Sequence, residues 1–224
     1  MEFAEELQRV LPPDIPHRER LIEKAAQHLQ LIATANEYMN LTRITSAHEA
    51  AIKHVYDSVA PWRHFADAKR VLDAGTGAGF PGIPLAVVLP HVRFTLTEST
   101  QKKARFVDAA VEALELGNVH VLAERAEQRA ATRHPEVITA RAVAPLHRLL
   151  ELFHNAVQRG SRLILYKGPE VEAELEEART HRVTADVLCR YELPDGLGHR
   201  SVLLIQANHA ERAKLLREAS ASRL

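Results

Sequence analysis

The spacing of apolar positions changes once along the chain, and the change divides it. Over residues 18–39 they recur at helical intervals, with Leu21, Ala25, Leu29 and Ile32 on one side. Residues 46–60 keep the same period. Ser46 stands there as an N-cap with Glu49 three residues on, and Pro61 closes the segment. The first sixty-odd residues therefore predict a helical segment with no strand of its own. Beyond them, short apolar runs alternate with helical stretches. Strands are predicted over Arg70–Ala74, 92–98, 119–123, 136–142 and 161–168. Helices are predicted over Pro81–Leu89, Thr100–Leu116, 145–157 and 169–180. The first of these carries proline in its opening turn, where a missing N–H costs little, and Gly117–Asn118 is expected to close the second. Two late strands, near 182–191 and 200–206, are separated only by the turn-rich "LPDGLGH".

Strand–helix alternation of this kind implies an α/β fold, a mostly parallel sheet with helices on both faces. The last two strands are expected to pair antiparallel at one edge, because a parallel connection needs a longer crossover. The expected division is a helical segment over 1–67, a sheet domain over 68–208 and a basic helical tail over 209–224. In that last stretch, from His199 onward, Arg and Lys outnumber Glu.

Composition narrows the function classes. No apolar run is long enough to span a bilayer, and the acidic start "MEFAEELQRVLPPD" lacks the marks of a signal peptide. The lone Cys189 excludes an internal disulfide and Cys-rich metal sites, and it favours a reducing, cytoplasmic setting. The thirteen histidines show no zinc-motif spacing, so no metal is expected. Twenty-nine basic and twenty-nine acidic residues cancel, which by itself gives no support to nucleic-acid binding.

Candidate chemistry concentrates in "VLDAGTGAGFPGIPLAVVLP", Val71 to Pro90, where four of the nine glycines lie between apolar runs. A strand, a glycine turn and a helix in succession form a nucleotide site. A triphosphate loop requires Lys–Ser/Thr after the glycines, and none follows. The dinucleotide pattern G-x-G-x-x-G is present as Gly77, Gly79 and Gly82, with Glu98 ending the second strand where it can hold a ribose. Asp73 tilts the choice. A carboxylate beside the glycines repels a pyrophosphate and suits the ammonium and sulfonium of S-adenosylmethionine. Pro84 removes one more N–H that a phosphate would use. The alternatives are a helix-capping Asp73 and a Glu98 that serves only as an acid at the helix start before Thr100.

The run "DAGTGAGFPGIPLA" resembles the signature of the small-subunit ribosomal RNA guanine-N7 methyltransferase G family, also called glucose-inhibited division protein B. "NLTRIT" (40–45), "HVYDS" (54–58), "ESTQKK" (98–103), "RAEQ" (125–128), "ARAVAPL" (140–146) and "LYKG" (165–168) follow in the family's order. The similarity spans roughly residues 20–206. "VYDS" stands where "FLDS" is usual, and the second strand ends in "TES". The resemblance implies a class I S-adenosylmethionine-dependent methyltransferase fold, Rossmann-like, with a seven-stranded sheet. It implies S-adenosylmethionine as methyl donor and a guanine in the decoding-region loop of bacterial 16S rRNA as target. It adds Gly75, Phe80, Ala126, Glu127 and Arg141 to Asp73, Gly77 and Glu98 as cofactor positions.

The region after the fourth strand fits that reaction. "TARAVAPL" lacks the Asn/Asp-Pro-Pro-aromatic cluster of amine methylation, and Cys189 is too far along the chain to act as a pyrimidine nucleophile. Guanine N7 carries an in-plane lone pair and no proton, so its methylation requires positioning and no general base. Arg141 is then expected to contact the cofactor, a phosphate or guanine O6, the alternative being a strand-end Arg paired with a carboxylate. Asn40, Thr42, His54 and Asp57 are expected to shape the mouth of the site or touch RNA; helix capping is an equal reading for Asn40 and Thr42. Lys167 is expected to meet an RNA phosphate or cover the base, the alternative being a solvated lysine. Two other classes stay open, an NAD-dependent oxidoreductase and a non-catalytic RNA-binding assembly factor. The neutral charge balance favours a small-subunit particle over naked 16S rRNA as partner.

Overall fold

The computed structural model describes residues 2–178 and 183–208, so the tail expected from 209 lies outside the described residues. The opening segment is helical: α1 (Glu2–Val10), α2 (Arg18–Met39), α3 (Ala47–Ala50), a π-helical turn (Ala51–Tyr56) and α4 (Asp57–Val59). Ser46 Oγ accepts from the Glu49 N–H at 3.2 Å, as expected of the cap. The Glu49 carboxylate does not return to Ser46; it holds Lys53 one turn on.

Among the described residues, seven strands form one sheet: β1 (Arg70–Ala74), β2 (Arg93–Thr97), β3 (Val119–Leu122), β4 (Val137–Arg141), β5 (Arg162–Lys167), β6 (Val183–Glu192) and β7 (His199–Ala207). Their order is β3-β2-β1-β4-β5-β7-β6. β7 is antiparallel to both neighbours, so it alone runs against the rest, and β6 bulges between Val187 and Cys189. Alternate residues of the strands face two cores. Val71, Val137 and Ile164 join the core that holds the apolar sides of α2, α5 (Gly82–Val88) and α6 (Gln101–Ala113). Leu72, Ile138 and Leu163 join the core under α7 (Ala126–Arg133), α8 (Leu146–Gln158) and α9 (Glu172–Ala178). The predicted stripe Leu21, Ala25, Leu29 and Ile32 lies in the first core, so the helical segment and the glycine strand bury their apolar groups together.

One helix ends differently from the sequence reading. α6 closes at Glu115, which takes φ +55°, with Glu115 N–H bonding Glu112 O at 3.0 Å and Leu116 N–H bonding Val111 O at 3.2 Å. This is a Schellman closure without glycine. The left-handed turn costs about 1–2 kcal/mol for a residue with a Cβ. Burial of Leu116, 3% exposed, offsets it. Asn118 instead ties the loop after α5. Its amide donates to the carbonyls of Ala86 at 3.0 Å, Leu89 at 3.3 Å and Val92 at 3.0 Å. Asn118→Ala leaves these acceptors without a donor and is expected to cost about 1–3 kcal/mol in urea unfolding. A loss within measurement error would show that solvent replaces the amide.

Candidate functional site

Strand order reverses between β1 and β4, and a crevice opens where two connections leave in opposite directions. The glycine loop forms one wall. Asp73, at the end of β1, is fully buried behind it. Its Oδ2 accepts from the Thr76 hydroxyl at 2.6 Å and the Gly82 N–H at 2.9 Å, while Oδ1 has no partner. Burial raises its pKa to about 6. Gly82 permits this approach: a Cβ there would lie 2.6 Å from Asp73 Oδ2 and 2.8 Å from Leu96. Gly77 takes φ +62° and faces open space.

The start of α5 has no donor left for a phosphate. Pro81 and Pro84 carry none, Gly82 N–H bonds Asp73, and Ile83 N–H bonds Gly79 O at 2.8 Å. A pyrophosphate needs such donors. The N–H groups of Gly77 and Ala78, beside the cavity, have no protein acceptor among the described residues.

Phe80 forms the floor between two histidines. His28, from α2, lies with its ring 4.9 Å from Phe80, and His54, from the π turn, stacks on Phe80 at 4.6 Å. His28 Nε2 must donate to Ala78 O at 2.9 Å, so Nδ1 is the bare nitrogen, buried without a partner. Burial lowers its pKa to about 4. Burial first, and then Arg141, lowers that of His54 to about 3.

The opposite wall is built on Asp57, 2% exposed. Arg141 Nη1, at the end of β4, donates to Asp57 Oδ2 at 3.1 Å and to Lys53 O at 3.0 Å. Arg200 Nε reaches both Asp57 oxygens at 3.2 and 3.3 Å, and the Tyr191 hydroxyl donates to Oδ1 at 2.8 Å. The guanidinium of Arg141 sits 5.6 Å from the Phe80 ring centre. The cavity so enclosed is about 540 Å³, and Thr42, His54, Gly77, Phe80, Arg141 and Lys167 all line it.

The family model described as rRNA small subunit methyltransferase G matches residues 21–194. The chain belongs to the rRNA small subunit methyltransferase G family. The family protein of Solibacter usitatus is 57% identical over 210 residues, covering 92% of this chain and 100% of that one. The one from Staphylococcus saprophyticus is 38% identical over 187 residues, covering 80% and 78%. Among solved structures, TrmK of M. capricolum in complex with S-adenosyl-homocysteine superposes with a TM-score of 0.55 at 15% identity, covering 68% of each chain. The fold is the class I methyltransferase fold that the sequence led us to expect.

Not every position expected from the sequence lines the cavity. Gly75, Gly77, Phe80, Arg141, Thr42, His54 and Lys167 do; Asp73, Glu98, Ala126, Glu127 and Asn40 do not. Glu98 Oε1 accepts from the Thr100 N–H at 2.8 Å at the start of α6, but the side chain is buried, 8% exposed, and its other oxygen takes no protein donor among the described residues. Ala126 and Glu127 open α7, half-buried. Asn40 is exposed and ends α2 at φ +51°, a capping role. Thr42 is pinned through its backbone by Asn36 and through its hydroxyl to His54 at 3.0 Å. Lys167 is not a solvated lysine. It is 12% exposed and paired with Glu174 at 2.8 Å. The sequence reading missed His28, Tyr166, Tyr191 and Arg200. His28 alone had a signal, since a histidine within the stripe Leu21–Ala25–Leu29–Ile32 must be buried.

Proposed function

We propose that this chain transfers a methyl group from S-adenosylmethionine to N7 of a guanine in the decoding-region loop of bacterial 16S rRNA, presented in a small-subunit particle, without a general base. The saturated start of α5 fits this donor and disfavours a dinucleotide. When bound, S-adenosylmethionine supplies a methyl group made electrophilic by a positively charged sulfur. Gly75, Gly77 and Phe80 would hold it from the loop, where two free N–H groups suit one carboxylate. The free oxygen of Glu98 would take the ribose, and Ala126 and Glu127 the adenine edge. Asp73 acts from behind, by fixing the loop through Thr76 and Gly82. Arg141, tethered by Asp57 and the Lys53 carbonyl, presents its remaining N–H groups in a fixed plane. Thr42, His54 and Lys167 face the RNA side, with Asn40 at the rim.

The observation that carries the base-free reading is how the polar groups of the lining are already engaged. His54, with its pKa lowered to about 3 by burial, is neutral at pH 7 and too weakly basic to keep an abstracted proton. Asp57 is engaged on both oxygens by Arg141, Arg200 and Tyr191. Burial raises the Tyr166 phenol well above its ordinary range. Lys53 and Lys167 are each paired with a glutamate. None of these lining groups is set up to take a proton, and N7 does not require a base. Turnover on saturated enzyme is expected to be flat from about pH 6 to 9, and a bell with two limbs inside that range would contradict the mechanism. The target is tested by mass mapping of 16S rRNA from cells with and without the gene. Loss of one 7-methylguanosine is expected; an unchanged guanine pattern would refute the assignment.

A further inference from the structure

A second cleft lies at the other end of the strands, where β1 and β2 begin. Its cavity is about 350 Å³, floored by Val71, Leu72, Thr95 and Pro135 and walled by Arg70, Arg93, Arg129 and Arg133. The arginines come as two like-charged pairs. Arg70 and Arg93 are partners in the parallel register of β1 and β2. Arg129 and Arg133 stand four apart on α7, on one side of that helix. Like charges on neighbouring strands, and at this helical spacing, repel. Counter-charge is thin. Glu136 meets Arg70 at 3.4 Å, and Glu124 lies 3.8 Å from Arg129 without a hydrogen bond. Arg129 Nε is buried and lacks a hydrogen-bond partner. Arg93 and Arg133 have no carboxylate partner among the described residues. In a chain with equal numbers of basic and acidic residues, this is a local concentration of planar, bidentate donors lining one recess.

We propose that this arginine cleft is a second binding site, for phosphate-class oxyanions, separate from the methyl-transfer crevice. Two sources share the chemistry: a phosphodiester of the substrate RNA reaching around the sheet, and a free oligophosphate. The site does not depend on which base is methylated. A bound oxyanion relieves both repulsive pairs and supplies Arg129 Nε with its missing acceptor.

The test uses the full chain and the double variant Arg93→Ala/Arg133→Ala, which removes two surface side chains outside the crevice. Pyrophosphate, compared with sodium chloride at equal ionic strength, is expected to raise the melting temperature of the wild type. The double variant should lose that shift while melting, without anion, no lower than the wild type. Binding of a small-subunit rRNA fragment is measured against salt in parallel. If RNA fills the cleft, the log–log slope falls by about 1.4–1.8 in the variant, two phosphate contacts' worth. Loss of the pyrophosphate shift with an unchanged RNA slope assigns the site to a free oligophosphate. A pyrophosphate shift equal in both proteins, or absent from both, together with an unchanged RNA slope, overturns the site.

Discussion

Asp57→Ala is expected to lower stability by about 3–5 kcal/mol, the usual cost of removing one partner from a buried ion pair. The carboxylate is 2% exposed and accepts from Arg141, Arg200 and Tyr191 at once. Alanine leaves two guanidinium groups and a phenol facing an empty acceptor position. Domains of ordinary stability have about 5–15 kcal/mol in total, so the loss is a large share. For a chain of this length it corresponds to a fall in melting temperature of roughly 6–20 °C. Methyl transfer should fall further than the folded fraction does, because Arg141 loses the contact that fixes its plane. Asp57→Asn keeps the shape and the Tyr191 bond but turns an amide towards an arginine, and should lie between the two. Calorimetry and turnover, both run below the variant's transition, separate the effects. A melting temperature within about 3 °C of the wild type would remove Asp57 from its central role.

Acid is expected to unfold this protein through His28 and His54. Their folded pKa values, about 4 for His28 and about 3 for His54, lie below the ordinary 6.5. Such a group contributes its full stability above pH 6.5 and loses it as pH falls. Each loses about 1.4 kcal/mol per pH unit in that range. Asp73 acts in the opposite sense. Its folded pKa is about 6 against an ordinary 3.8, so the folded chain binds its proton more tightly. Its contribution is complete below pH 3.8 and is lost as pH rises through 6. Between pH 6 and 4 it therefore returns about as much as one histidine removes. The net loss from pH 7 to 4.5 is about 3–4 kcal/mol, steepest just below pH 6.5. Urea unfolding at stepped pH measures it. His28→Gln retains a donor for the Ala78 carbonyl and removes one titration, so it should flatten the curve. Equal pH slopes for His28→Gln and wild type would show that His28 is not the titrating group.

Much of the fold was legible because its elements differ in period. The helical stripe of α2, the short apolar strands and the turn between β6 and β7 each follow from local spacing. The strand order was not legible from alternation, since it depends on contacts between distant segments. The same division holds at the site. The glycine loop is contiguous and could be read. Asp73 was expected from the sequence to face the ligand as a charge; it lies buried behind the loop instead, and that burial depends on α5 packing against β2 through Gly82 and Leu96. Tyr191 and Arg200 stand 134 and 143 residues from Asp57, and no spacing rule connects them. Glu115 replaced Gly117 as the helix stop because burying Leu116 outweighed the preference for glycine.

The groups that meet at Asp57 also set an order of events during synthesis. A carboxylate made early in translation waits for Arg141 from the middle of the chain and for Tyr191 and Arg200 near its end. A growing polypeptide still lacking β7 has that acid in place with Arg141 but without Arg200, so this wall of the crevice is complete only once β7 has been made. The wall that fixes Arg141 is thus a late property of the nascent protein, formed after the glycine loop has been made.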